Sequence, residues 1–316
     1  MGELLIRNYL ILTGGLGNQL FQVAAASYFT GNGALVVDTS LSSKRNPPGQ
    51  TELEKLELAE NISFSQIAGG RFFPRKAFNM FLRISISQNI FLKSDRLKSL
   101  LLILGSRYFS HVYHEKIKIV LDGFQINKLP QAESYGLLFI GYFQAYKYCG
   151  ELEMFRTHEL IAKERSIEVE KIYAGHNDKT ILVIHIRLGD YLNEENFGTP
   201  SSTYYSNAIN KIAGTVALDE CWIFSNDVEK ARNYIPDIPQ LSLKWFHSVG
   251  SSDIHVLMAM ARGDHFVIGN STFSWWASYL ASNATKIIVA PYPWFKGSPE
   301  PRGLIPPTWL RIDAKF

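Results

Sequence analysis

The first forty residues combine two short apolar runs with one stretch whose apolar residues recur at helical spacing. Residues 9–13 form the first apolar run, which ends in a glycine-rich turn, and residues 34–38 form the second. Between them, in residues 18–29, apolar side chains return every three or four positions and mark one face of a helix. This order predicts a strand, a glycine turn, a helix and a second strand.

The second half of the chain repeats this alternation. A continuous apolar run at 179–186 is typical of a strand buried on both faces of a parallel sheet. Three similar runs predict further strands, at 221–224, 265–268 and 286–290. Helices are predicted at 202–213 and 253–262, and a further helix is predicted to begin at 225–227. Residues 270–280 predict a turn followed by a helix. The alternation indicates a doubly wound α/β sheet, whose ligands bind beyond the carboxyl ends of its strands. Polar loops follow those ends, at 187–191, 225–227 and 269–274.

The middle of the chain, from residue 39 to about 160, gives no comparable pattern. Residues 90–104 predict a helix, and residues 107–148 are rich in Tyr and Phe without indicating a topology. We interpret these aromatic residues in two ways. They form ordinary core, or they bind a sugar, because aromatic rings stack on the C–H faces of sugars.

The composition fits a large folded protein. Its 316 residues are 46% hydrophobic and 19% charged, which allows two domains or one large α/β unit. The net charge of +3 is too small for a general nucleic-acid binder, yet a few basic residues can still hold an anionic ligand locally. Cys149 and Cys221 lie far apart without a Cys-x-x-Cys motif, which argues against a metal or redox site at these cysteines.

The sequence shows neither a secretory leader nor a membrane span, so we expect a cytoplasmic protein. Residues 71–83 interleave basic and aromatic side chains. We interpret them as a solvated basic face over packed rings, with peripheral contact to the anionic inner face of the membrane as the alternative. The side chains concerned are Arg71, Phe72, Phe73, Arg75, Lys76, Phe78, Phe81 and Arg83.

The glycine turn at residues 14–19 lies between a predicted strand and a predicted helix. Backbone N–H groups at such a turn can hold a phosphate, although a tight turn that only joins the two elements has the same sequence. The turn lacks the third glycine of a dinucleotide-binding motif and the Gly-Lys-Ser/Thr of a P-loop. Asp38 does follow at the distance expected of a ribose-binding acid. A nicotinamide- or flavin-dependent oxidoreductase is therefore an alternative.

His185 and Arg187 lie two positions apart at the end of a predicted strand, so their side chains share one face. A guanidinium at this place suits a diphosphate, because it stays charged and donates two parallel hydrogen bonds. The alternative is an ion pair between Arg187 and Asp190 that only ties the loop.

The turn before the last predicted helix is rich in hydroxyl groups. Ser271, Thr272 and Ser274 can bind an anion together with the first N–H groups of the helix, or they can cap the helix. Trp275 and Trp276 are interpreted as core. The chain has no Asp-x-Asp motif, the usual carboxylate pair for a divalent cation on a nucleotide diphosphate.

Four motifs together resemble the bacterial α-1,2-fucosyltransferases of glycosyltransferase family 11. In chain order they are Gly14-Gly-Leu-Gly-Asn-Gln-Leu-Phe-Gln22, His185-Ile-Arg-Leu-Gly-Asp-Tyr191, Phe224-Ser-Asn-Asp227 and Asn270-Ser-Thr-Phe-Ser-Trp-Trp-Ala-Ser-Tyr-Leu280. Many members of the family read His-x-Arg-Arg, whereas this chain has Leu188 in place of the second arginine.

The resemblance implies a GT-B-type α/β fold, with two Rossmann-like domains facing across a cleft. Residues 1–165 would bind the acceptor and residues 166–316 the GDP-sugar. The implied reaction is metal-independent transfer of L-fucose from GDP-fucose to the 2-hydroxyl of a terminal galactose in a glycan, with inversion. The remaining alternative is a catalytically inactive protein that binds a GDP-sugar or a glycan.

The resemblance also implies a role for each motif residue. Arg187 would contact the diphosphate, and Asp227 with His185 the nucleoside, beside Ser225. The predicted phosphate-side residues are Ser271, Thr272, Phe273 and Ser274. The predicted residues for the sugar or phosphate on the other domain are Gly14, Gly15, Gly17 and Asn18. Asp190 is the candidate base, with Glu194, Glu195 and His185 as competitors.

Overall fold

A computed structural model describes most of the chain. The described residues are 6–42, 51–56, 58–67, 95–122, 135–149, 171, 174, 176, 178–189, 196–236, 238, 241–247 and 252–316. The chain divides into two compact units, which are Met1–Glu54 with Leu58–Met154, and Lys55–Glu57 with Phe155–Phe316. The predicted boundary between residues 165 and 166 lies outside the described residues and stays a prediction.

The described residues of the first unit form a five-stranded parallel sheet and two α-helices. The strands are β1 (Asn8–Ile11), β2 (Leu35–Asp38), β3 (Ile62–Ser65), β4 (Ile117–Leu121) and β5 (Gly136–Ile140), and the helices are α1 (Leu16–Thr30) and α2 (Asp95–Tyr113). The strand order is β3-β2-β1-β5-β4. The predicted strand–turn–helix–strand at the start of the chain is confirmed by β1, α1 and β2.

The core of the first unit joins the sheet to α2. Tyr9 of β1 and Leu138 of β5 are buried with Phe109 and Tyr113 of α2, and the rings of Tyr9 and Tyr113 lie 4.2 Å apart. Phe139 and Phe143 are fully buried as well. These aromatic residues of the stretch 107–148 therefore form core.

In the part of the second unit that the structure describes, the chain forms a six-stranded parallel sheet and four α-helices. The strands are β6 (Ile181–Ile186), β7 (Glu220–Ser225), β8 (Ser242–His247), β9 (His265–Ile268), β10 (Ile288–Tyr292) and β11 (Leu310–Asp313). The helices are α3 (Ser202–Ala213), α4 (Val228–Ala231), α5 (Asp253–Ala261) and α6 (Thr272–Leu280). The strand order is β11-β10-β9-β6-β7-β8.

Buried tyrosines join α3 to the second sheet. The hydroxyl of Tyr204 donates to the backbone oxygen of Ile268 at the end of β9 (2.6 Å) and lies 3.2 Å from the backbone oxygen of Val289 in the neighbouring strand β10. Tyr204 and Tyr205 are completely buried in one apolar cluster with Ile184 of β6. Because each phenol brings its own polar atom into the core, these bonds hold the helix in one register on the sheet.

Each sheet has one place where the chain reverses its direction of winding. In the first sheet this switch point lies between β1 and β5, and in the second it lies between β6 and β9. The expectation of two Rossmann-like α/β units is confirmed by these two parallel sheets. Among the described helices, none is both long and apolar enough to cross a bilayer.

Candidate active site

The switch point of the second sheet brings two of the predicted loops together. Arg187 directly follows β6, and Gly269 directly follows β9, which pairs with β6. The backbone N–H of Gly269 donates to the carbonyl of His185 at 3.2 Å. The loop after β7 lies on the other side of β6. The prediction that three polar loops share one edge of the sheet is therefore confirmed, and ligands of doubly wound sheets bind at this place.

His185 lies inside this edge and is 2% exposed. Burial, and then the charge of Arg187, lower the pKa of its imidazole from 6.5 to about 3. Its ring lies 5.8 Å from the ring of Phe273, and its Nδ1 has no hydrogen-bond partner in the described part of the chain. His185 is therefore a neutral imidazole at physiological pH.

Hydrogen bonds from the loop after β7 hold the loop that follows β6. Leu188 is fully buried in the apolar cluster of the second unit, so its side chain is part of the core. Its backbone N–H donates to Oδ1 of Asn226 at 2.7 Å, and Nδ2 of Asn226 donates back to its carbonyl at 3.0 Å. Arg187, immediately before it, is partly exposed. Asn226 is a site residue that its sequence position did not indicate.

Ser225 and Asp227 form the turn between β7 and α4. The buried hydroxyl of Ser225 accepts from the N–H of Asp227 (3.1 Å) and donates to its carbonyl (3.2 Å). Oδ1 of Asp227 caps α4 by accepting from the N–H of Lys230 (3.1 Å), and Oδ2 pairs with the ammonium of Lys230 at 3.0 Å. The backbone hydrogen bond from Lys230 is the main cause that lowers the pKa of Asp227.

The hydroxyl groups at the start of α6 have local partners. Ser271 caps the helix, because its Oγ accepts from the N–H of Phe273 at 3.3 Å, and Ser274 donates to the carbonyl of Ser271 at 3.0 Å. Thr272 and Phe273 are the partly exposed residues of the first turn. Trp275 and Trp276 are completely buried, which agrees with their interpretation as core.

Asn270 joins a further segment to this edge. Its side chain is buried, and Nδ2 donates to the carbonyls of Phe197 and Gly198, each at 3.0 Å. The segment 196–198 is thereby held against the loop after β9. The candidate base Asp190 and its competitors Glu194 and Glu195 lie outside the described residues.

A cavity of about 460 Å³ lies beside the loop after β6. This volume is within the range of small-molecule sites. The lining residues are Leu188, Thr199, Ser201, Ser202, Lys230, Asn233, Tyr234, Lys315 and Phe316. Both lysines form ion pairs, Lys230 with Asp227 and Lys315 with Asp313.

The glycine turn of the first unit occupies that unit's own switch point. Gly14 adopts φ +78°, and a Cβ at this position would lie 3.0 Å from Nδ2 of Asn18. Gly15 precedes α1 as its N-cap, and Gly17 is buried in the first turn. Nε2 of Gln19 donates to the carbonyl of Gly14 at 2.9 Å. The turn therefore needs glycine at position 14.

Two glutamine side chains hold this turn from inside the first unit. Gln22 is fully buried; its Oε1 accepts from the N–H of Thr13, and its Nε2 donates to Oγ1 of Thr13 and to the carbonyl of Gly141. Nε2 of Gln144 donates to Oδ1 of Asn18 at 2.9 Å. Gln144 follows β5, the strand next to β1. Its contact with the glycine turn was not indicated by its sequence position.

The described residues contain no cluster of three or more His, Cys, Asp or Glu side chains that could bind a metal ion. The basic and aromatic segment at residues 71–83 lies outside the described residues.

Comparison with known proteins decides the family. The model of the family described as Glycosyl transferase family 11 matches residues 8–300, which includes both switch points. The chain belongs to glycosyl transferase family 11. As a family 11 member it is a glycosyltransferase.

Two known relatives match nearly the whole chain. An alpha-1,2-colitosyltransferase of Escherichia coli is 24% identical over 314 residues, which are 96% of this chain and 97% of that protein. The O-antigen biosynthesis glycosyltransferase WbnK of Escherichia coli is 25% identical over 329 residues, 96% of this chain and 100% of that protein. Among solved structures, the alpha-1,6-fucosyltransferase NodZ is 16% identical, with a TM-score of 0.49 over 87% of this chain and 93% of that one.

Proposed function

We propose that this chain transfers L-fucose from GDP-fucose to the 2-hydroxyl of a terminal galactose, with inversion and without a metal ion. The observation that carries the proposal is the switch point between β6 and β9, where the bond from Gly269 to His185 brings the Arg187 loop next to the start of α6. A guanidinium and a helix N-terminus suit the two phosphates of a nucleoside diphosphate. Membership of family 11 supports sugar transfer.

The proposed reaction is a single displacement. The acceptor hydroxyl forms a bond to the anomeric carbon while the bond from that carbon to the diphosphate breaks, and GDP leaves with the electron pair. Negative charge therefore grows on the diphosphate. Arg187 and the positive end of the α6 dipole stabilise this charge electrostatically.

The acceptor hydroxyl also loses a proton. His185 is poorly suited to accept it, because burial holds its pKa at about 3 and a second positive charge would arise beside Arg187. We therefore propose Asp190 as the base, with Glu194 and Glu195 as alternatives, because these carboxylates follow Arg187 closely in the sequence.

The experiment measures GDP release by the purified protein with GDP-fucose and a β-galactoside. GDP-mannose and UDP-galactose serve as parallel donors, and the linkage of the product is determined by NMR. We expect turnover with GDP-fucose that a chelator does not reduce, and an α-1,2 product. Equal turnover with either parallel donor would contradict the donor assignment.

Arg187→Ala tests the role of the guanidinium, with Arg302→Ala as a matched control at an exposed position of the same unit. We expect Arg187→Ala to lower kcat about 100-fold, as for the loss of one charge-stabilising donor, and Arg302→Ala to leave it unchanged. Activity that survives Arg187→Ala in the folded protein would contradict the mechanism. Binding of GDP-fucose without turnover by the unmodified chain would favour the inactive binding protein instead.

Transfer of colitose is a second candidate, because one near-full-length relative is an alpha-1,2-colitosyltransferase. Colitose is L-fucose without its 3-hydroxyl, so the two GDP-linked donors differ by one oxygen atom. The donor panel therefore includes GDP-colitose. A higher kcat/KM with GDP-colitose than with GDP-fucose would assign colitosyl transfer to this chain.

A further inference from the structure

The loop that carries Arg187 is held by an amide side chain from the loop after β7. Asn226 accepts from the N–H of Leu188 at 2.7 Å and donates to the carbonyl of the same residue at 3.0 Å. A pair of bonds between one planar amide and one residue's backbone fixes both the position and the orientation of that backbone. Asn226 follows Ser225, which pairs with Ile186 across the two strands.

Two neighbouring features make this contact specific. Gly189 adopts φ +70°, and a Cβ at this position would lie 2.8 Å from Nδ2 of Asn226, so glycine leaves room for the amide. The side chain of Leu188 is completely buried in the apolar core. The backbone that follows Arg187 is therefore held by the core on one side and by Asn226 on the other.

We propose that Asn226 is a positioning residue that directs Arg187 toward the diphosphate of the donor. This inference rests on the proposed function of Arg187. The guanidinium is at the end of a long side chain, and the entropy lost when it binds a ligand is smaller if its backbone is already fixed. Without the amide, Arg187 keeps its charge, but the backbone that follows it loses one of the two contacts that fix it. The expected effect is on the affinity for GDP rather than on folding.

A double-mutant cycle with GDP as the probe tests this inference. Calorimetric titration measures the GDP affinity of the unmodified chain, Asn226→Ala, Arg187→Ala and the double variant. We expect Asn226→Ala to weaken GDP binding about 10-fold. This is the loss expected when one hydrogen bond between the Arg187 guanidinium and a phosphate is weakened. In the Arg187→Ala background the same change should alter the affinity less than about 2-fold, because the effect passes through Arg187. Asn210→Ala, the same change at an exposed position of α3, should leave the affinity unchanged.

Each other outcome overturns the inference. An equal loss of affinity from Asn226→Ala in both backgrounds would give Asn226 a merely structural role, while the role of Arg187 would stand. If Arg187→Ala bound GDP like the unmodified chain, the proposed function of Arg187 would fail together with the positioning role. Should Asn226→Ala not fold, Gly189→Ala displaces the same amide from the other side and replaces it in the cycle. An unchanged GDP affinity in that variant would also overturn the inference.

Discussion

The hydroxyl of Tyr113 donates to Oδ2 of Asp38 at 3.0 Å and joins the end of α2 to the end of β2. Oδ1 of the same carboxylate accepts from the N–H groups of Ser40 and Ile67, and Asp38 is completely buried. An acid that binds a ribose must present its oxygens to the ligand. Asp38 instead holds its own loop, so the oxidoreductase alternative loses the residue on which it depended.

Tyr113→Phe is expected to destabilise the first unit. The change removes the hydrogen bond from Tyr113 to a buried carboxylate, and the free energy of unfolding should fall by about 1–3 kcal/mol. Urea unfolding of the variant and of the unmodified chain measures the difference. Tyr28→Phe, at a tyrosine that is 52% exposed, is the matched control and should change the free energy by less than about 0.5 kcal/mol. Equal stability of Tyr113→Phe and the control would show that the bond contributes nothing.

Alanine at two adjacent glycines should have unequal effects on activity. Gly14 has φ +78° and a Cβ there would press on the amide of Asn18, whereas Gly15 has φ −81° and nothing within 4 Å of a Cβ. Gly14→Ala therefore strains the turn and moves Asn18, while Gly15→Ala fits. We expect the rate of GDP release to fall at least about 10-fold more in Gly14→Ala than in Gly15→Ala. Similar rates in the two variants would show that the shape of the turn is not needed.

Most strands at the centre of the two sheets could be predicted from the sequence, and the edge strands of the second sheet, β8 and β11, could not. The central strand β5 is the exception, because it lies in the aromatic stretch that gave no clear pattern. β6 and β9 are buried on both faces, which requires continuous apolar runs. β8 has the sequence Ser-Leu-Lys-Trp-Phe-His and is only partly buried, and β11 carries Arg311 and Asp313. Such strands are defined by hydrogen bonds to a neighbour and not by their own pattern.

The loops of the candidate site could be predicted for a related reason, since the carboxyl ends of parallel strands share one edge of a sheet. Their internal contacts could not be predicted. Asn226 meets Leu188 across 38 positions of sequence, and Gln144 meets Asn18 across 126. A local sequence pattern cannot predict a contact between residues so far apart in the sequence. Conversely, the hydroxyl of Ser225 has a conspicuous sequence position but bonds within its own turn.

Burial of His185 should make stability depend on pH. Its pKa is about 3 in the folded chain, against the ordinary value of 6.5 that applies in the unfolded chain. Below pH 6.5 the unfolded chain therefore binds more protons than the folded one. The free energy of unfolding therefore falls as pH decreases through this window, by up to about 1.4 kcal/mol per pH unit from this group. His265, whose pKa burial also lowers, contributes in the same direction.

His185→Gln isolates the contribution of this one imidazole. Urea unfolding between about pH 6 and pH 4 should give a slope of the free energy against pH that is smaller by about 1 kcal/mol per unit in the variant. The contribution of His265 is present in both proteins and cancels in the comparison. Identical slopes would mean that His185 is protonated in the folded chain or accessible to water.

The bond from Gln144 to Asn18 should matter for activity through the orientation of the Asn18 amide. Phe143, directly before Gln144, adopts φ +51°, which is unfavourable for a residue other than glycine, and its N–H is held by Oδ2 of Asp122 at 2.7 Å. The backbone strain is thus stabilised by a buried ring and a carboxylate, and it presents Gln144 to Asn18. Because Oδ1 of Asn18 faces Gln144, its Nδ2 lies over Gly14.

Two substitutions distinguish the role of the oxygen of the Asn18 amide from the role of its NH₂ group. Gln144→Ala removes the donor to Oδ1 of Asn18 and should lower kcat about 10-fold. The loss of stability should be smaller than in Tyr113→Phe, because Gln144 is only partly buried. Asn18→Asp keeps the oxygen that accepts from Gln144 and replaces the NH₂ group by a charged oxygen. If the NH₂ group acts on the substrate, Asn18→Asp should be the more damaging of the two in the GDP-release assay. Near-normal kcat in Asn18→Asp would show that the NH₂ group is not required, and near-normal kcat in Gln144→Ala would show that its orientation is not.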